Sequence, residues 1–96
     1  MSDWEVIDVY TREMALEDGV IVNLGKIRDI YVDATVELAS KGLLLAKAVV
    51  RAVDLMSKRK LKEYNFVEIE NEKILITASF DEKGNKVITL MFPWER

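Results

Sequence analysis

Two residue types that could do chemistry are missing from this chain. Its 96 residues include neither cysteine nor histidine. Without cysteine there is no disulfide framework, no thiolate nucleophile and no cysteine metal site. Without histidine there is no side chain whose ordinary pKa suits proton transfer near neutrality, and the commonest metal ligand is absent. Most hydrolytic, zinc and redox mechanisms fall away with them. A carboxylate or lysine mechanism would need a marked site, and no residue pattern marks one, so no catalytic residue, metal or cofactor is expected. The acids of residues 13–18 read as solvated carboxylates. Gly25-Lys26 lacks the glycine-rich run and following Ser/Thr of a phosphate loop.

What remains is charge. The net charge of −3 hides a strong asymmetry. Residues 1–40 carry three cations against nine acids, about −6. Residues 41–62 carry seven cations (Lys41, Lys47, Arg51, Lys58, Arg59, Lys60, Lys62) against Asp54 alone, about +6. Residues 63–96 carry four cations against seven acids, about −3. A basic middle between acidic flanks suggests either an anion-binding face or a solvated helix surface. The cations of residues 58–62 also suit the C-terminus of a helix.

The elements that must position these charges follow from the apolar pattern. Hydrophobic residues are 50% and charged residues 32% of the chain, a globular composition. The length bounds it to a single domain, residues 1–96. Trp4–Tyr10 alternates weakly, as a short strand would. Thr11–Asp18 is a helical turn or a loop. Val20–Leu24, between Gly19 and Gly25, reads as a buried strand. Gly25-Lys26 reads as a turn. Ile27, Ile30, Tyr31, Ala34 and Leu38 recur with period 3.6 and predict a helix to Ser40, with Gly42 as its C-cap. Leu43–Leu45 opens a second helix or forms a short strand. Residues 46–62 are helical by propensity, with an apolar stripe at Val49, Ala52, Val53 and Met56. Tyr64–Phe80 is strand-like, Asp81–Lys86 is a hairpin turn, and Val87–Phe92 is the return strand. The predicted order is β-α-β-α-β-β in a two-layer α+β sandwich, with an extra N-terminal strand as the alternative. Met56 and Met91 read as core or dimer contacts, and Trp4, Phe92 and Trp94 as cover for a core edge. The longest apolar run, Leu43–Ala46, is far short of a membrane span. The N-terminus has no signal pattern, and a soluble, cytoplasmic protein is expected.

From Val20 to Arg96 the chain resembles the Alba family of small nucleic-acid-binding proteins, which share the β-α-β-α-β-β order. The resemblance rests on VIVNL, Gly25-Lys26, a helix closing at Gly42, and the run Lys47-Ala48-Val49-Val50-Arg51-Ala52-Val53-Asp54. A C-terminal hairpin with its loop at Asp81–Lys86 completes it. The region of the family's second strand, between Gly42 and Lys47, is shortened here. The resemblance implies contacts to a nucleic-acid backbone from Lys26, Lys47 and Arg51. Arg28 joins them by proximity, and Lys83 and Lys86 by their place on the hairpin. The expectation is a homodimer that binds DNA or RNA without base specificity, built on the second helix and the C-terminal strands. The alternative is an acidic protein-assembly subunit of the same fold that binds no nucleic acid. An enzyme would need a concave pocket lined by paired carboxylates.

Overall fold

A computed structural model describes residues 11–96; the strand expected at Trp4–Tyr10 lies outside them. The described residues form an α+β domain with a five-stranded mixed sheet. Its elements are α1 (Arg12–Glu17), β1 (Ile21–Ile27), β2 (Ile30–Thr35), α2 (Val36–Ala39), α3 (Leu43–Ser57), β3 (Tyr64–Ile69), β4 (Glu72–Phe80) and β5 (Lys86–Met91), with a 3₁₀ turn at Pro93–Glu95. Strand order in the sheet is β1-β2-β5-β4-β3. All neighbours are antiparallel except β2 and β5, which run parallel with Ile30 opposite Lys86.

This order corrects the predicted one at its first helix. Residues 27–40 do not form a helix. Ile27 pairs with Ile30 across a two-residue turn at Arg28-Asp29, and the chain returns as β2 before the single turn of α2. Gly25-Lys26 is not a turn but part of β1, where the register shifts between Asn23 and Gly25. The local composition explains the outcome. Ile30-Tyr31-Val32 is β-branched and aromatic, and such residues lose side-chain freedom in a helix. Arg28 takes φ +59°, the left-handed conformation that a tight hairpin turn demands.

The second helix starts earlier and ends sooner than predicted. Leu43–Leu45 is its first turn, and it stops at Ser57. Gly42 therefore precedes α3 rather than only closing a helix before it. Arg59 adopts φ +56°, while Lys60 N–H donates to the Leu55 carbonyl and Arg59 N–H to the Met56 carbonyl. These two bonds satisfy the last carbonyls of the helix in a Schellman arrangement. The stretch Tyr64–Phe80 is two strands rather than one, joined by Glu70-Asn71, both at positive φ. The β4–β5 hairpin forms where the sequence placed it.

One face of the sheet carries α3. Ala48 and Ala52, 0% and 1% exposed, have little bulk and let the helix approach closely. Beneath lie Val32, Ala34, Val67, Ile69, Ile74, Ile76, Ile88 and Leu90, a core closed by Leu38 and Phe92. Met56 packs against this core, whereas Met91 lies on β5, half-buried. Phe92 stacks with Trp94, ring centroids 4.6 Å apart, which leaves Phe92 in the core and Trp94 exposed at its edge.

The opposite face holds a buried charge. The Asp33 side chain is fully buried and accepts from Arg12 Nε at 2.5 Å, from Arg12 Nη2 at 3.0 Å and from Asn23 Nδ2 at 2.9 Å. Arg12 thereby fastens α1 to β2. The carboxylate holds the Arg12 pKa above its ordinary value through that hydrogen bond, against the opposing effect of burial. Among the described residues every buried side-chain nitrogen and oxygen has a partner.

Candidate anion-binding site

The parallel pairing of β2 with β5 decides where the cations go. Because Ile30 lies opposite Lys86, the Arg28-Asp29 turn sits beside the turn at residues 81–85. Arg28, Asp29, Ile30, Gly84, Asn85 and Lys86 line one shallow depression between the two turns, so it holds two cations and one acid. Lys83 stands on the same turn as Gly84. Lys26 is nearby on β1, paired with Tyr31, and its ammonium lies 5.2 Å from the centre of the Tyr31 ring. Arg12 lies over the same ring at 4.5 Å. The C-terminal end of α3 reaches this end too: Ser57, and Leu61 from the following loop, line a cavity together with Arg28 and Lys86. The loop carrying Lys58, Arg59, Lys60 and Lys62 therefore leaves from the same rim.

Lys47 and Arg51 are not part of this gathering. They lie on α3 beside β3, where Lys47 forms an ion pair with Glu70. Arg51 Nη1 donates to the Glu68 carbonyl at 3.3 Å. Both cations thus have partners within the fold, at the end that holds the β3–β4 turn. Arg28, Lys83 and Lys86 form no ion pair among the described residues, where the ion pairs are Arg12 with Asp33 and Asp81, Lys47 with Glu70, and Lys58 with Asp54.

Three acids, Asp29, Asp81 and Glu82, stand among these cations, and Asp81 shapes the turn rather than pairing with a lysine. Its carboxylate accepts from Lys83 N–H at 2.9 Å, Asn85 N–H at 2.8 Å and Asn85 Nδ2 at 3.1 Å. Partial desolvation pushes its pKa up, but the Asn85 and Lys83 donors and the charge of Arg12 outweigh that, so the pKa lies below the ordinary aspartate value. A lowered folded-state pKa contributes stability above the unfolded value and loses it as pH falls through the folded one. The turn should therefore keep its shape from neutrality through the ordinary aspartate range and loosen only below it. Amide exchange at Lys83 and Asn85, followed against pH, should show protection falling only on the acid side. Protection that does not change there would contradict this role for Asp81.

Sequence reasoning missed the cavity and the Arg12–Asp33–Asn23 cluster. Neither has a local signal, since each joins residues far apart in the chain. Among the described residues no three carboxylates gather as metal ligands would, and no helix is long and apolar enough to cross a membrane. No protein-family model matches the chain, and neither does any curated protein or solved structure.

Proposed function

We propose that this chain binds DNA or RNA without base specificity, through the cations gathered at the end of the sheet where β1 turns into β2 and β4 into β5. The observation that carries the reading is the adjacency of those two turns, which brings Arg28, Lys83 and Lys86 to one end of the sheet, none of them in an ion pair among the described residues although Asp29 lines the same depression. Lys26 and the loop at residues 58–62 extend the same end. Such cations displace condensed counterions from phosphates, an attraction that needs no base contact. The resemblance to the Alba family enters only as an expectation of this activity, since two of its marks, the Gly25-Lys26 turn and the helix closing at Gly42, are replaced by strand and a single helical turn; the interface proposed here is centred on the turns, and Lys47 and Arg51 hold the helix to β3. Titration with duplex DNA and duplex RNA at increasing salt tests the reading. Binding that weakens steeply with salt, equally for unrelated sequences, is the expected result.

A second reading, self-assembly, draws on a different surface. Leu43 and Val50 are 67% and 66% exposed on α3, and Ala46, also exposed, lies between them at helical spacing. That stripe is available to a second copy of the helix. Sedimentation equilibrium at micromolar concentration should then show a dimer that Val50→Glu dissociates. A species of 11.0 kDa alone would remove the self-assembly reading and leave the nucleic-acid reading standing.

A further inference from the structure

The proposed polyanion interface uses the charges at this end but leaves its most enclosed feature unused. Between the C-terminal half of α3 and the end of the sheet lies a cavity of about 410 Å³, within the range of about 300–1,000 Å³ typical of small-molecule sites. Its apolar wall includes Ile30, Val53, Met56, Leu61 and Phe80, and Ser57 and Ser79 also line it. Among the described residues the only charged side chains that line it are Arg28 and Lys86, and both are cations. Phe80 stands at its mouth with 68% of its surface exposed.

We propose that this cavity binds a small amphipathic anion, a single-chain aliphatic carboxylate, with its tail against the apolar wall and its head between Arg28 and Lys86. The chemistry of the walls selects this class. A neutral apolar molecule would leave two cations beside it unmatched. A compact anion such as phosphate would leave the aliphatic wall uncovered. A cationic amphiphile would meet two like charges. Arginine presents a planar fork of donors that fits a carboxylate, and lysine adds a second positive charge. Methionine adapts to irregular shapes, so Met56 allows tails of somewhat different length to fit. A tail in the cavity would also cover Phe80.

The test is calorimetric titration of the whole chain with decanoate below its micellar concentration, beside octanoate, decanol and decyltrimethylammonium. Decanoate should bind, and each added methylene should tighten binding by about fourfold. Decanol should bind more weakly and decyltrimethylammonium not at all. Methyl resonances of Met56 and Ile30 should shift on binding. The variant Arg28→Gly with Lys86→Gln should lose the preference for decanoate over decanol. Arg28 occupies positive φ, where glycine is unstrained, so this variant keeps the turn. The proposal is overturned if decanoate does not bind, binds no better than octanoate or decanol, or shifts other methyl groups instead. Binding to vesicles of anionic phospholipid without binding of free decanoate also overturns it. The outcome is separable from the nucleic-acid reading: decanoate binding without DNA or RNA binding retains the cavity and removes that reading, and the reverse removes the cavity. If both hold, decanoate should compete with nucleic acid, because the two share Arg28 and Lys86.

Discussion

Replacing Arg12 with alanine should destabilise the domain by about 3–5 kcal/mol, the cost of leaving a buried charge without its partner. Asp33 has no exposed surface. Without Arg12 its carboxylate keeps only the Asn23 amide, and burial prevents water from taking the place of the guanidinium. The converse change, Asp33→Ala, should cost less. The Arg12 side chain is 18% exposed, and Asp81 lies 3.9 Å from its Nη1, so the freed guanidinium has water and a second carboxylate to turn to. The double variant should lose less than the sum of the single losses, because each single change leaves one member of the pair stranded. A domain of this size is held by about 5–15 kcal/mol, so the Arg12→Ala loss is a large share of the whole. Denaturant melts of the four proteins measure all three quantities. A loss under about 1 kcal/mol for Arg12→Ala, or strict additivity, would show that the pair does not hold α1 to the sheet.

The second large effect is on binding. Each phosphate contact on duplex DNA contributes about −0.9 to the slope of log K against log salt. Contacts from Arg28, Lys83 and Lys86 on one chain therefore give about −2.7, and a fourfold rise in salt should weaken binding by about fortyfold. Contacts from the loop at residues 58–62 would steepen this further. Reversing two of the charges, Arg28→Glu with Lys86→Glu, should leave a slope of about −0.9 and only a three- to fourfold loss over the same change in salt. The remaining affinity should be lower still than lost contacts alone imply, since two new carboxylates would face the phosphates. Both positions are exposed, so the substitutions leave the core as it is.

How far these features were legible depended on whether their cause was local. The β4–β5 hairpin was legible because Gly84 and Asn85 mark the turn and Val87–Leu90 follow as a short apolar strand. The apolar stripe of α3 was legible because Ala52, Val53 and Met56 lie against one face. Residues 27–40 misled for a physical reason. In β2, Val32, Asp33, Ala34 and Thr35 are buried in succession, since α3 covers one face of the strand and Arg12 reaches the other. A strand buried on both faces does not alternate, and its apolar positions happened to satisfy a helical period as well. Glu70-Asn71 was missed because a turn of two polar residues within a strand-rich stretch gives little composition signal. The cations Lys26, Arg28, Lys83 and Lys86 could be named from sequence, but their common location depends on Ile30 lying opposite Lys86, a contact across 56 positions of chain. Lys47 and Arg51 do share a helix face, as their spacing implied. Their partners Glu68 and Glu70 come from β3 and the turn after it, which the sequence reading had joined into one strand.

The most direct measurement compares two charge-removing variants in the same salt titration with duplex DNA. One carries Arg28→Gly and Lys86→Gln, at the junction of the two turns. The other carries Lys47→Ala and Arg51→Ala, on the face of α3. Circular dichroism melts of both establish that each remains folded before binding is read. If the turn end is the interface, the first variant binds more weakly and its slope is flatter by about two. The second keeps the slope of the parent, because its cations were engaged with Glu70 and the Glu68 carbonyl. A flattened slope for Lys47→Ala/Arg51→Ala with an unchanged one for Arg28→Gly/Lys86→Gln, or no binding by the parent even at low salt, would contradict the proposed interface.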